Sequence, residues 1–278
     1  MTKNALDRFE SVVVATNDLE GASEQVSRLF GCDVPTAELD GDIYRRRFLL
    51  ENTALDLVSP HPEAKDSWLS FWLEKRGEGP LGFVFRCPRV AGLEPELDER
   101  SVPLLDDMEP FGASVAPEAT RGVPIWLSDL EVESRSVDRG RGLVHGLDHA
   151  VVQTVDGDAT RRVYEEGLGV RVALDRTFEQ WNVRLIFCRL GEVTLEIASR
   201  AAESAGEDEE LPRDGLDQLW GFTWRVDDAD IAHERMASEG FELSEVREGR
   251  RPGTRVFTVR SGTLGIPTLI IEPKSPSQ

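Results

Sequence analysis

Three ionisable side chains stand out because each interrupts a strand that is otherwise apolar. His149 lies in the alternating segment 147–154, Glu196 in the middle of 193–198, and Glu272 at the end of 267–272. Burying an unpaired carboxylate costs free energy, so two glutamates at inward positions of buried strands favour a functional role. A single histidine on a strand, by contrast, is more often a hydrogen-bonded structural residue than a ligand.

The polar neighbours of these residues can be assigned to faces, because side chains alternate between the two sides of a strand. The resulting polar faces carry His149 and Gln153 on 147–154, Thr194 and Glu196 on 193–198, Thr223 and Arg225 on 220–226, and Glu272 on the last strand.

The elements that must position these residues form a repeated unit. Residues 147–198 read as strand, helix and three strands, with Asp156 placed to cap the helix and Gly169 to end it. Residues 9–34 align with 147–172 without a gap, LGFVFRC at 81–87 aligns with WGFTWRV at 220–226, and GVPIWLSD at 122–129 aligns with GIPTLIIE at 265–272. Such self-similarity predicts four modules in two halves, joined by a polar linker at 131–146.

These segments resemble the vicinal oxygen chelate superfamily, which includes glyoxalase I, bleomycin-resistance proteins and extradiol dioxygenases. The resemblance rests on LDH at 147–149 before an apolar strand, on the helix exit at 164–169 and on PTLIIE at 267–272, and it covers residues 8–273. It implies an α+β fold of four βαβββ modules, paired into two domains at 8–130 and 147–273, each a curved mixed sheet around a cleft.

The resemblance also implies a metal site in the C-terminal domain. Carried over by position, the ligands are His149, Glu196 and Glu272, while Gly221 replaces the fourth. One imidazole and two carboxylates suit Fe(II), Mn(II), Ni(II) or Zn(II), although the set could equally be a decayed site.

The same comparison assigns roles in catalysis. Glu196 or Glu272 is the candidate catalytic base, and Gln153, Thr223 and Arg225 are the candidate substrate-binding residues. Arg225 would hold a substrate carboxylate, or it would form an ion pair with Glu196 or Glu272.

The N-terminal half lacks such a set. Its equivalent positions hold Ser11, Asp56, Gly82 and Asp129, with no histidine among them. We therefore expect this half to bind no metal and to act as a structural partner.

Composition limits the partners. The 278-residue chain has a formal net charge of −20, which argues against nucleic acid and anionic membranes. Its three cysteines are scattered and in apolar contexts, as is typical of buried, reduced thiols in a cytoplasmic protein. A small molecule is the expected partner, and a homodimer is left open.

Two functions remain open. Retention of His149, Glu196 and Glu272 favours a metal-dependent glyoxalase- or dioxygenase-type enzyme that acts on a small, oxygen-bearing, anionic substrate. Loss of the fourth ligand at Gly221 favours a metal-free protein that sequesters a small molecule, as bleomycin-resistance proteins do.

Overall fold

The structure is a computed structural model that describes residues 6–105, 111–129, 140–200 and 215–274. Within this part of the chain, the first half of the sequence contributes β1 Arg8–Ala15, β2 Glu38–Asp40, β3 Ile43–Leu49, β4 Ala54–Pro60, β5 Gly79–Arg86, β6 Ala113–Ser114 and β7 Ile125–Ser128. The second half contributes β8 Val144–Thr154, β9 Arg171–Phe178, β10 Val183–Leu190, β11 Val193–Arg200, β12 Gln218–Val226, β13 Arg247–Glu248, β14 Arg255–Val259 and β15 Thr268–Glu272.

The helices are short and few. The α-helices are α1 Leu19–Phe30, α2 Trp68–Arg76, α3 Glu94–Glu99, α4 Gly157–Arg162 and α5 Ala229–Ser238; Val163–Gly167 is a π-helix and Glu179–Trp181 a 3₁₀ turn. Asp18 and Asp156 cap α1 and α4, each accepting a hydrogen bond from a backbone N–H three residues on. None of the helices in the described ranges is both long and apolar enough to cross a membrane.

The strands form two mixed sheets. The seven-stranded sheet has the order β2-β3-β4-β1-β5-β7-β6, and the eight-stranded sheet has the order β13-β14-β15-β12-β8-β11-β10-β9. Each sheet uses the strands of one half of the sequence. The predicted α+β class is confirmed.

The register of the strands reproduces the internal repeat. Phe83 of β5 pairs in parallel with Ile125 of β7, and Phe222 of β12 pairs in parallel with Thr268 of β15. These are the positions that the alignment of 81–87 with 220–226 and of 122–129 with 265–272 places together. The aligned blocks therefore lie on equivalent strands.

Two expectations about elements are wrong. The linker was predicted to run to residue 146, but β8 already begins at Val144. The start of β8 is held by hydrogen bonds from the turn at 51–53. The linker residues 131–139 lie outside the described part of the chain. Glu51 N donates to the carbonyl of His145, and the side-chain amide of Asn52 bonds both backbone groups of Leu147. Likewise, the alternation of Phe241 and Leu243 with polar residues predicts a strand at 241–246, but this segment forms only a single bridge, between Leu243 and Val259.

By contact, the chain divides into two compact units, each of which draws on both halves of the sequence. The first comprises the described residues of Met1–Val12, Leu81–Glu133 and His149–Trp220. Its core includes the rings of Phe9, Phe83 and Phe85, which contact edge to face or stacked at 4.8–5.6 Å.

The second unit comprises Val13–Pro80, the described residues of Ser134–Asp148, and those of Gly221–Gln278. Its core includes Phe30, which contacts Trp224 and Phe48 edge to face. The sheets thus follow the two halves of the sequence, whereas the compact units do not, and the domain boundaries at 8–130 and 147–273 stay a prediction.

Candidate functional site

His149 and Glu196 lie on neighbouring parallel strands of the first unit. In the pairing of β11 with β8, Thr194 is opposite His149 and Glu196 is opposite Val151. Since Glu196 is two residues beyond Thr194, it projects from the same side of the sheet as Thr194. His149 Nε2 lies 3.7 Å from Glu196 Oε2, so the two side chains meet on that face.

The spacing of these two groups is within the range of an ion pair and is also compatible with shared coordination of one ion. A distance of 3.7 Å is too long for a good N–H···O bond. Two donors that are each about 2.1 Å from one ion, at a tetrahedral angle, lie roughly 3.4 Å apart. The side chains are 22% and 16% exposed, so solvent reaches both. The pair fits two ligands of a divalent ion.

The remaining predicted ligand, Glu272, belongs to the second unit and has a structural contact there. Its Oε2 accepts a hydrogen bond at 2.9 Å from the backbone N–H of Ala229, the first residue of α5. Arg255 lies 3.8 Å from the same oxygen. A carboxylate is stabilised at a helix N-terminus, so Glu272 helps to hold α5 on β15. Among the described residues, no group of three or more His, Cys, Asp and Glu side chains could hold a metal ion.

Arg225 forms an ion pair that sequence analysis did not anticipate. Its Nε donates to Asp148 Oδ2 at 3.1 Å. Both side chains are largely buried. Thr223 on the same strand is also buried. Arg225 therefore has a carboxylate partner within the chain, and its assignment to a substrate stays a prediction.

Gly221, at the position of the missing fourth ligand, is in close backbone contact. A Cβ atom built there would lie 2.7 Å from the carbonyl oxygen of Pro267, which accepts the N–H of Phe222. The equivalent Gly82 would approach the carbonyl oxygen of Pro124 even more closely. No side chain can be placed at Gly221 unless the strands move apart.

The strand β10 adds residues to the His149 face that the sequence analysis missed. Arg189 pairs with Thr194, Phe187 with Glu196 and Leu185 with Ala198. Arg189 Nη1 donates to Thr194 Oγ1 at 2.6 Å, which shows that both side chains project on the same side. Gln153 pairs with Ala198 and is half-buried on this face. The hairpin turn at 191–192 was the signal: residues placed symmetrically about a turn become cross-strand neighbours.

A second polar cluster lies in the core of the first unit. Asp217 is buried and accepts a hydrogen bond from Thr160 Oγ1 at 2.7 Å, and Arg121 Nε lies 3.3 Å from each of its oxygens. Burial raises the pKa of the Asp217 carboxyl, although its hydrogen bonds and Arg121 oppose the shift. This cluster joins α4 to the start of β12 and is structural.

The cysteines follow the prediction in part. Cys87 and Cys188 are buried free thiols, and burial raises the pKa of Cys188 to about 12, so its thiol stays protonated at neutral pH. Cys32, expected to be buried, is exposed.

The part of the chain that carries the His149–Glu196 face is similar to a known family. Residues 148–258 match the family model of the Glyoxalase/Bleomycin resistance protein/Dioxygenase superfamily. The match includes both His149 and Glu196 and agrees with the resemblance noted in the sequence.

Solved structures show the same fold over nearly the whole chain. A mutant of 4-hydroxymandelate synthase from Streptomyces coelicolor is 16% identical, with a TM-score of 0.71 over 96% of this chain and 92% of that chain. A xylose isomerase-like TIM barrel/4-hydroxyphenylpyruvate dioxygenase fusion protein is 14% identical, with a TM-score of 0.69 over 99% of this chain and 50% of that chain. A comparison with curated proteins finds no match.

Proposed function

We propose that this protein is a dioxygenase-type enzyme that uses a divalent metal ion held by His149 and Glu196. The observation that carries the proposal is the 3.7 Å separation of His149 Nε2 and Glu196 Oε2 on one partly exposed face of a superfamily sheet. The fold shared with 4-hydroxymandelate synthase and with the 4-hydroxyphenylpyruvate dioxygenase fusion supports the reaction class. The assignment of Glu272 as a third metal ligand stays a prediction.

The chain's own residues would have distinct roles. His149 would supply an imidazole nitrogen and Glu196 a carboxylate oxygen, the donor types suited to Fe(II), Mn(II), Ni(II) or Zn(II). A bound ion would chelate two oxygens of a small substrate and stabilise negative charge that develops on them. Glu196 is close enough to accept a proton from a substrate held beside His149. Gln153 supplies an amide for hydrogen bonds on the same face.

Metal analysis tests the proposal. The untagged protein, loaded with Fe(II) under anaerobic conditions and desalted, is expected to retain close to one metal ion per chain by mass spectrometry. His149→Ala and Glu196→Gln should lose it, whereas His233→Ala should not, because His233 Nε2 contacts the carbonyl of Ser244 elsewhere in the fold. Oxygen uptake with 4-hydroxyphenylpyruvate then tests the reaction. Retention of metal by His149→Ala would overturn the assignment.

A metal-free binding protein is the second candidate. The observation that favours it is Gly221, whose close approach to Pro267 leaves no room for the fourth ligand. If the wild-type protein takes up none of the four metals but binds small aromatic acids, this function replaces the enzyme.

A further inference from the structure

Three arginines share the face of the β9–β10 hairpin that continues from His149 and Glu196. Arg189 pairs with Thr194 on β11 and with Arg171 on β9. Arg176 pairs with Leu185, whose other neighbour is Ala198. Directly opposed residues of antiparallel strands project on the same side. We call Arg171, Arg176 and Arg189 the arginine face.

The opposite face of the same hairpin is arranged differently. There Arg184 bonds both carboxylate oxygens of Asp175 at 2.8–2.9 Å and also lies 2.9 Å from Asp158. Arg161 is paired with Glu165 and with Asp175. These arginines are neutralised by carboxylates of their own chain.

On the arginine face, the contacts within the described residues include no carboxylate. Arg189 donates to the Thr194 hydroxyl, and the Arg176 guanidinium lies 5.0 Å from the centre of the Phe178 ring. In a chain whose formal net charge is −20, three cations on one face outnumber the Glu196 carboxylate beside them and create a local positive potential. Such a potential attracts anions to the face that carries His149.

We propose that the arginine face binds the carboxylate group of the substrate, with Arg189 making the direct contact. Arg189, Thr194 and His149 lie side by side on three adjacent strands, β10, β11 and β8, so their backbones span two strand spacings, roughly 10 Å. A small molecule can therefore reach Arg189 with one end while its other end lies beside His149 and Glu196. This inference rests on the proposed function, because it takes the His149–Glu196 pair as the reaction centre.

The side chains between Arg189 and the His149–Glu196 pair indicate the chemistry of the substrate beyond its carboxylate group. Phe187 lies beside Glu196 and Leu185 beside Ala198, both on the same face, so the wall next to the pair is apolar. Thr194 holds Nη1 of Arg189 and leaves the other guanidinium N–H groups for a bidentate contact with a carboxylate. The chemical class is a small carboxylic acid with an aromatic or aliphatic body. Arg225, which Asp148 already neutralises, is a poorer choice for this contact.

Binding of phenylacetate to the metal-loaded protein, measured by calorimetry, tests the proposal. Loss of a charge-assisted contact predicts that Arg189→Gln weakens binding roughly 10- to 100-fold. Arg176 pairs with Leu185, four residues along β10 from Arg189. Arg176→Gln should therefore weaken phenylacetate binding only a few-fold and reduce the dependence of the affinity on salt. The control is Arg184→Gln on the opposite face of β10, which should leave the affinity unchanged although it removes an ion pair.

The outcomes separate this inference from the proposed function. If Arg189→Gln keeps its metal and its fold but loses phenylacetate, both stand. If the wild-type protein binds no metal yet binds phenylacetate through Arg189, the reaction fails and the carboxylate site stands. Equal affinity of Arg189→Gln and the wild type overturns the inference whatever the metal content. Inorganic phosphate that competes fully with phenylacetate would overturn the carboxylate class.

Discussion

Asp56 and Glu196 occupy the same position of a repeated strand pair, yet each carboxylate faces a different nitrogen. Glu196 Oε2 lies 3.7 Å from Nε2 of His149, whereas Asp56 Oδ1 lies 3.6 Å from Nε of Arg47. Arg47 is the strand partner of Asp56, and the corresponding partner of Glu196 is the uncharged Phe187. The N-terminal carboxylate therefore has a fixed cation from its own sheet.

This difference predicts the cost of removing Arg47. Asp56 is fully buried, and its oxygens have no hydrogen-bond partner in the described structure, so Arg47→Met would leave an uncompensated charge. We expect a loss of about 3–5 kcal/mol in the free energy of unfolding, measured with urea. The double variant Arg47→Met with Asp56→Leu should recover most of it. A loss below about 1 kcal/mol in the single variant would show that the pair is not needed.

The second prediction concerns the two equivalent glycines. A Cβ at Gly221 or Gly82 would overlap the carbonyl oxygen of the proline on the neighbouring strand. Overpacking of this kind costs about 1–3 kcal/mol, so Gly221→Ala and Gly82→Ala should both lower the melting temperature. Gly82→Ala is expected to have the larger effect because its contact is closer. Unchanged melting in both variants would contradict the close approach.

The third prediction follows from Asp217. Burial raises the pKa of this carboxyl in the folded state, so its contribution to stability is present at low pH and is lost as pH rises through the raised value. Asp217→Asn removes that titration and keeps hydrogen bonding to Thr160 possible.

Urea unfolding of the wild type and of Asp217→Asn across pH 3.5–7 measures the contribution of Asp217 to stability. The stability of Asp217→Asn relative to the wild type should increase as pH rises above the ordinary pKa of 3.8. A difference that does not vary with pH would show that Asp217 has the same pKa in the folded and unfolded states.

The sequence predicted which strands form and pair better than it predicted the contacts of individual side chains. The repeat fixed which segments pair, and the register of Phe83 with Ile125 and of Phe222 with Thr268 agrees with it. Alternation correctly placed His149 and Glu196 on one face. It could not predict that Asp148 pairs with Arg225 or that Glu272 accepts the N–H of Ala229, because alternation gives a side and not a partner.

Other residues were missed for a related reason. Arg189 could have been found from the hairpin turn, but only the structure shows that its side chain contacts the Thr194 hydroxyl. His145, which lies within the predicted polar linker at 131–146, is buried with ring nitrogens 3.4 Å from Glu51 and 3.2 Å from Asp227. Its burial results from packing of the 51–53 turn against β8, a contact between residues such as Asn52 and Leu147 that are 95 positions apart.

The interleaved compact units have a consequence for how the chain folds during synthesis. Residues 13–80 belong to the same unit as the described residues of 221–278, so their native contacts include partners that are synthesised only after residue 220. Contacts so distant in sequence carry a large loop-closure entropy and slow folding. Until those partners are made, we expect segment 13–80 to leave part of its apolar surface exposed, the condition in which nascent chains aggregate or bind chaperones.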